Sequence, residues 1–184
     1  MNGTAPISTD HTIIPYRGTH PTIHPSAFIA AGARVVGDVT IGENSSIWFN
    51  VVVRGDVEPV VIGAGTNIQD LTTCHVTNGQ FSLWIGDDVT VGHRAILHGA
   101  RIEEGALIGM GAIVLDGATI GAEAIVAAGA VVPPGMTVPP GTLVAGVPAK
   151  IIRDLSEQER RAGREGAEHY RGYAKEYREG MNSQ

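Results

Sequence analysis

The sequence predicts an all-β solenoid, a chain wound as a parallel β-helix with one α-helix packed on its outside. A six-residue rhythm is the first observation behind this. An aliphatic residue recurs at Ile23, Ile29, Val35, Ile41, Ile47 and Val53. The beat resumes at Ile62 and Ile68 with Cys74 in the same place, continues at Ile85, Val91 and Leu97, and after a one-residue slip runs from Ile102 to Val144. Glycine is the second observation. It directly follows the aliphatic residue in segments such as IGENSS, IGDDVT and IGMGAI, and 25 glycines in 184 residues is about twice the usual share. The third is a proline-rich stretch, VVPPGMTVPPGTLVAGVPAK, that ends the rhythm.

A period of six fits neither the 3.6 of a helix nor the simple alternation of a strand. It fits short strands joined by tight corners, where glycine relieves the backbone. Three such strands per turn point one aliphatic side chain each inward. Successive coils then pair in parallel ladders about 4.8 Å apart and complete one another's core.

In chain order, residues 1–19 read as an N-terminal extension, 20–149 as the β-helix, and 150–184 as a C-terminal helix and tail. Pro133, Pro134, Pro139, Pro140 and Pro148 stand where backbone donors are no longer needed for winding. Ser156 with Glu159 reads as a capping box opening the helix. Ala162, Ala167, Tyr170, Ala174 and Tyr177 supply its apolar stripe. Gly163, Gly166 and Gly172 weaken it in isolation, so docking must stabilise it. Tyr170 and Tyr173 read first as packing residues.

The net charge of −6 argues against a nucleic-acid partner, which needs a basic face. One cysteine excludes an internal disulfide. No run is long enough to span a membrane, and the first residues lack the pattern of a secretory signal. The expectation is a soluble, cytoplasmic protein.

His75, His93 and His98 each stand one or two residues after an inward-facing position, near a corner of the coil. Three imidazoles suit zinc, with ferrous iron or cobalt also accepted, and leave a coordination position open, as catalytic sites do. Cys74 reads as core filling. His11, His20, His24 and His169 read as surface residues. The stretch from Cys74 to Ile85 is one residue short of two repeats, which leaves the alignment of the three histidines open. Reach is a further constraint, because corner residues of a rigid prism point away from one another. A homotrimer with grooves between subunits would supply the missing ligand from a neighbour.

The repeats resemble those of the hexapeptide-repeat proteins over about residues 20–149. That resemblance implies a left-handed β-helix, a hand opposite to the usual crossover rule. RGD at 54–56, NIQD at 67–70, His75, GH at 92–93 and LHG at 97–99 resemble, more narrowly, the gamma-class carbonic anhydrases. The resemblance implies reversible hydration of CO2 to bicarbonate at a metal held by His75 and His98 of one subunit and His93 of the next. It implies an interfacial ion pair between Arg54 and Asp70. It places Asp56 and Gln69 by the reacting water, and brings Tyr170 toward the site from the terminal helix. The sequence departs from the family's pattern where proton-shuttling glutamates stand. Val57 occupies the first position, and the stretch after His75 is the short VTNGQFSLW. Two alternatives remain: a metal-binding homologue with little hydratase activity in an assembly or scaffold role, and a CoA-dependent acyltransferase.

Overall fold

The computed structural model describes residues 12–182. Residues 1–11 of the N-terminal extension, including His11, lie outside them. The chain winds as a left-handed parallel β-helix of about seven turns. Two long strands, Arg34–Ile41 and Val52–Ile62, run continuously round one corner and join two faces of the prism. Thr12–Ile14 pairs in parallel with Arg34–Val36 at its beginning.

The three faces follow from the pairing. One stacks Val52–Val53, Thr73–His75, Ile96–His98, Ile113–Val114 and Val131–Val132. The next stacks Val60–Ile62, Leu83–Ile85, Arg101–Ile102, Thr119–Ile120 and Thr137–Val138. The third runs from Phe28–Ile29 through Asn67–Ile68 and Thr90–Val91 to Thr142–Ala145.

The repeat positions form the core. From Val35 to Val144 every residue in the rhythm is buried, Cys74 among them. Burial pushes the Cys74 thiol up to about 12, so it is a filler and not a thiolate. The small residue directly after the corner turn, as at Ala106, Ala112 and Ala124, is buried as well and fills the prism between aliphatic layers.

The stretch from Cys74 to Ile85 is not two shortened repeats. Cys74 pairs with Leu97 on the first face and Ile85 pairs with Ile62 on the second, so the chain takes eleven residues over a single step. The five extra residues form a small turn closed by a bridge between Thr77 and Phe81. Every coil-to-coil offset across this turn is therefore 23 residues, as in Thr73 to Ile96 and Asn67 to Thr90.

After Val144 the strand Lys150–Asp154 folds back antiparallel on Thr142–Ala145. Ser156 then caps α1 (Glu157–Arg160) through a complete capping box with Glu159, and α2 (Ala162–Asn182) follows. The third face receives α2. Thr90 donates its hydroxyl hydrogen to the Gly163 carbonyl at 2.7 Å. A side chain on Gly163 would strike the carbonyl oxygens of Gly105 and Ala106, and one on Gly166 would strike Thr90. These glycines, a weakness for the isolated helix, are what let it lie on the sheet. Ala167 and Ala174 are buried beneath it, and Tyr170 packs edge-on against Trp48.

Candidate metal centre

The 23-residue offset puts His98 directly opposite His75 in the ladder. Nδ1 of His75 lies 3.1 Å from Nε2 of His98. The outer nitrogens of the pair are engaged by carboxylates. His75 Nε2 lies 3.2 Å from Asp56 Oδ1, and His98 Nδ1 lies 2.7 Å from Asp116 Oδ1. If each outer nitrogen donates its hydrogen, the two facing nitrogens carry lone pairs aimed into one space. Partial burial lowers the pKa of His75, outweighing the bond from Asp56, and so favours its neutral form. Two ligands on a tetrahedral ion with bonds near 2.0–2.1 Å sit about 3.3–3.4 Å apart. The pair is thus spaced and polarised to hold a cation.

Asp56 is the hinge of this corner. Burial works against its ionisation, but hydrogen bonds from Arg54 and His75 prevail and hold its carboxyl below the ordinary value. Arg54 Nη1 meets Asp56 Oδ2 at 2.5 Å. Within this chain Arg54 is therefore paired with Asp56, two residues along the same strand. Asp70 pairs instead with His93, whose Nδ1 is 2.7 Å from Asp70 Oδ2, and accepts from the Phe49 N–H.

His93 belongs to a different corner. It follows Thr90–Val91 on the third face and stands five positions before His98, which lies at the far end of the next strand. Extended chain of that length spans up to about 16 Å. No trio of His, Cys, Asp and Glu capable of holding a metal forms among the described residues. Among the described residues no hydrogen bond engages His93 Nε2, and the side chain is 40% exposed.

Gln69 lies buried on the His93 corner, one coil earlier, and its amide is directed by a relay. Its Nε2 donates to Asn67 Oδ1 at 3.1 Å, and Asn67 Nδ2 donates to Thr90 Oγ1 at 2.9 Å. Thr90 in turn donates to the Gly163 carbonyl. Because that last group only accepts, every donor along the chain runs in one direction and the Gln69 carbonyl oxygen is left as an acceptor. Beside it, Gln69, His93, Leu107 and Met110 line an apolar hollow of about 470 Å³. Tyr170 reaches this side from α2. Burial, with the Asp70 carboxylate next, pushes its phenol up.

Sequence reasoning missed Asp116, Thr77, Asn67 and Thr90. Asp116 had a signal: HGA at 98–100 and DGA at 116–118 stand 18 residues apart, one full coil of six-residue repeats. Glu58 is occupied elsewhere, since its carboxylate accepts the Gly79 N–H at 2.9 Å and steadies the inserted turn. His24 bonds locally to Ser26.

The family profile described as Bacterial transferase hexapeptide (six repeats) matches residues 20–55 and 99–134. The uncharacterized transferase YtoA of Bacillus subtilis is 64% identical over 81% of this chain and 86% of its own length. A probable carbonic anhydrase of Methanocaldococcus jannaschii is 52% identical over 77% of this chain and 89% of its own. Among solved structures, a putative acetyltransferase from Bacillus cereus superposes with a TM-score of 0.90 at 45% identity, covering 96% of this chain and all of that one.

Proposed function

Because this chain belongs to the gamma-class carbonic anhydrase family of hexapeptide-repeat proteins, we propose that it catalyses reversible hydration of CO2 to bicarbonate. The site would lie between subunits of a homotrimer, with His75 and His98 from one chain and His93 from the next. The facing His75 and His98 nitrogens carry this proposal. They would fill two ligand positions, while His93 stands on another corner, partly exposed and with only its Nδ1 engaged, by Asp70.

A divalent metal, zinc above all, would lower the pKa of water from about 15.7 to near 7 and so supply hydroxide at neutral pH. The protein's own groups do the rest. The Gln69 carbonyl, fixed by the relay that ends at Gly163, would accept a hydrogen from the reacting water and so orient it toward CO2. The hollow beside His93 and Gln69 offers apolar walls to CO2. Asp56, ionised and held by Arg54, fixes the His75 ring and offers a carboxylate to an outgoing proton. Arg54 would contribute positive potential for bicarbonate. Its second role is the ion pair with Asp70 across the subunit boundary. With Val57 in place of a carboxylate and Glu58 held by Gly79, proton export falls to Asp56 and external buffer.

A second reading, CoA-dependent acyl transfer with one histidine as general base, is favoured by the transferase names of two similar proteins. Metal content separates the two. Protein purified without added metal should carry one equivalent per chain and hydrate CO2 at a rate that rises with buffer concentration. A metal-free protein that transfers acyl groups from CoA would reject the proposal.

A further inference from the structure

We propose that Asp116 is a positioning residue for His98, fixing its imidazole as the Nδ1–H tautomer so that Nε2 is the nitrogen presented to the metal. The proposal rests on the metal-centre reading above. Asp116 Oδ1 lies 2.7 Å from His98 Nδ1, and its other oxygen accepts the Thr77 hydroxyl hydrogen at 2.9 Å. An ionised carboxylate only accepts, so the hydrogen in the His98 bond resides on Nδ1. Held at both oxygens, the carboxylate has no freedom to rotate away.

The surroundings are built for this reach. Gly99 follows His98 with φ +54°, and a Cβ there would collide with Asp116 Oδ1 and with Phe81 Cβ. The corner backbones stack, the Gly117 N–H donating to the Gly99 carbonyl at 2.7 Å and the Gly99 N–H to the His75 carbonyl at 2.9 Å. Asp116 therefore sits one coil beyond His98, with the inserted turn after His75 supplying Thr77. A carboxylate behind a ligating imidazole also raises its basicity, and loss of such a partner costs about 10–100-fold in metal affinity.

The test reads the tautomer and the affinity separately. In metal-free wild-type protein in mildly alkaline buffer, long-range 1H–15N correlation should show His98 protonated at Nδ1. In Asp116→Ala the population should shift toward Nε2–H, and zinc affinity, measured by chelator competition, should fall by about 10–100-fold. Asp116→Asn should restore most of both, because its carbonyl still accepts from His98 while its amide donates to Thr77. Thr77→Val leaves the corner intact and frees only the carboxylate, so it should weaken zinc by a smaller factor. An unshifted tautomer and unchanged zinc affinity in folded Asp116→Ala would overturn the proposal. Should wild-type protein take up no zinc, the metal-centre reading fails while the tautomer measurement still decides the role of Asp116.

Discussion

The Asp70 carboxylate meets His93 Nδ1 at 2.7 Å on one corner of the prism, while His75 and His98 face each other on another. If the site is shared, damage to the two corners is complementary. Asp70 engages Nδ1 of the His93 ring, so Nε2 would be the nitrogen offered to a neighbour's ligand pair. His93→Ala and His98→Ala trimers should each lose metal. Co-expressed, the two chains should form mixed trimers in which some interfaces combine intact His75 and His98 with an intact His93. Metal and activity should return to a fraction of the wild-type level. No recovery in mixtures shown by mass spectrometry to contain both chains would place the ligands within one chain.

Metal removal should lower stability without unfolding the chain. The core is a continuous column of buried aliphatic residues from Val35 to Val144 that owes nothing to a ligand. Metal at 100 times its dissociation constant adds about 2.7 kcal/mol by mass action. For a chain of this size that corresponds to roughly 5–10 °C in melting temperature. Chelated protein should therefore melt earlier by that margin and keep its β-sheet circular dichroism beforehand. Collapse of the sheet signal on chelation at room temperature would contradict this.

The rhythm made the core legible because each repeat position has one structural meaning, inward. Corners are less legible. Eleven residues from Cys74 to Ile85 are compatible with two short repeats or one long one, and only the pairing of Ile85 with Ile62 decides. That choice sets whether His98 opposes His75. Asp116 was within reach of the same arithmetic, one coil after His98, but a lone carboxylate at a corner is ordinarily solvated. Gly163 and Gly166 suggested a weak helix, whereas their lack of side chains is what admits α2 to the face. The proposed Arg54–Asp70 pair between chains would leave no mark in local spacing, since Arg54 already has Asp56 two residues away.

Gly163 and Gly172 lie on the same helix and should respond oppositely to alanine. At Gly172 an added Cβ meets nothing, so Gly172→Ala gains helix propensity of about 0.8–1 kcal/mol. At Gly163 it would drive into the Gly105 carbonyl and break the Thr90 bond. That variant should lose about 1–3 kcal/mol as the helix lifts. It should also loosen Gln69, because the relay through Asn67 and Thr90 ends at Gly163. Denaturant melts read the first effect, and hydrogen exchange of the Gln69 side-chain amide reads the second. Equal stability changes in the two variants would refute this docking geometry.

Glu159 links the helix cap to the last strand and predicts how helix docking depends on acidity. Hydrogen bonds from Arg153 are the largest cause of its lowered pKa, with Ser156 next, and together they bring it from 4.5 to about 2. A carboxyl depressed on folding stabilises the folded state above its unfolded value. Its contribution declines as pH drops below about 4.5 and is gone once pH passes the folded value near 2. Glu159→Gln removes the charge at every pH and leaves an amide that caps more weakly. The difference in melting temperature between wild type and this variant should be constant above pH 5 or so and shrink steadily in more acidic buffer. Its size should be small, because the pair is exposed to solvent. A difference that grows on acidification would mean that the Arg153–Glu159–Ser156 cluster does not hold the start of the helix.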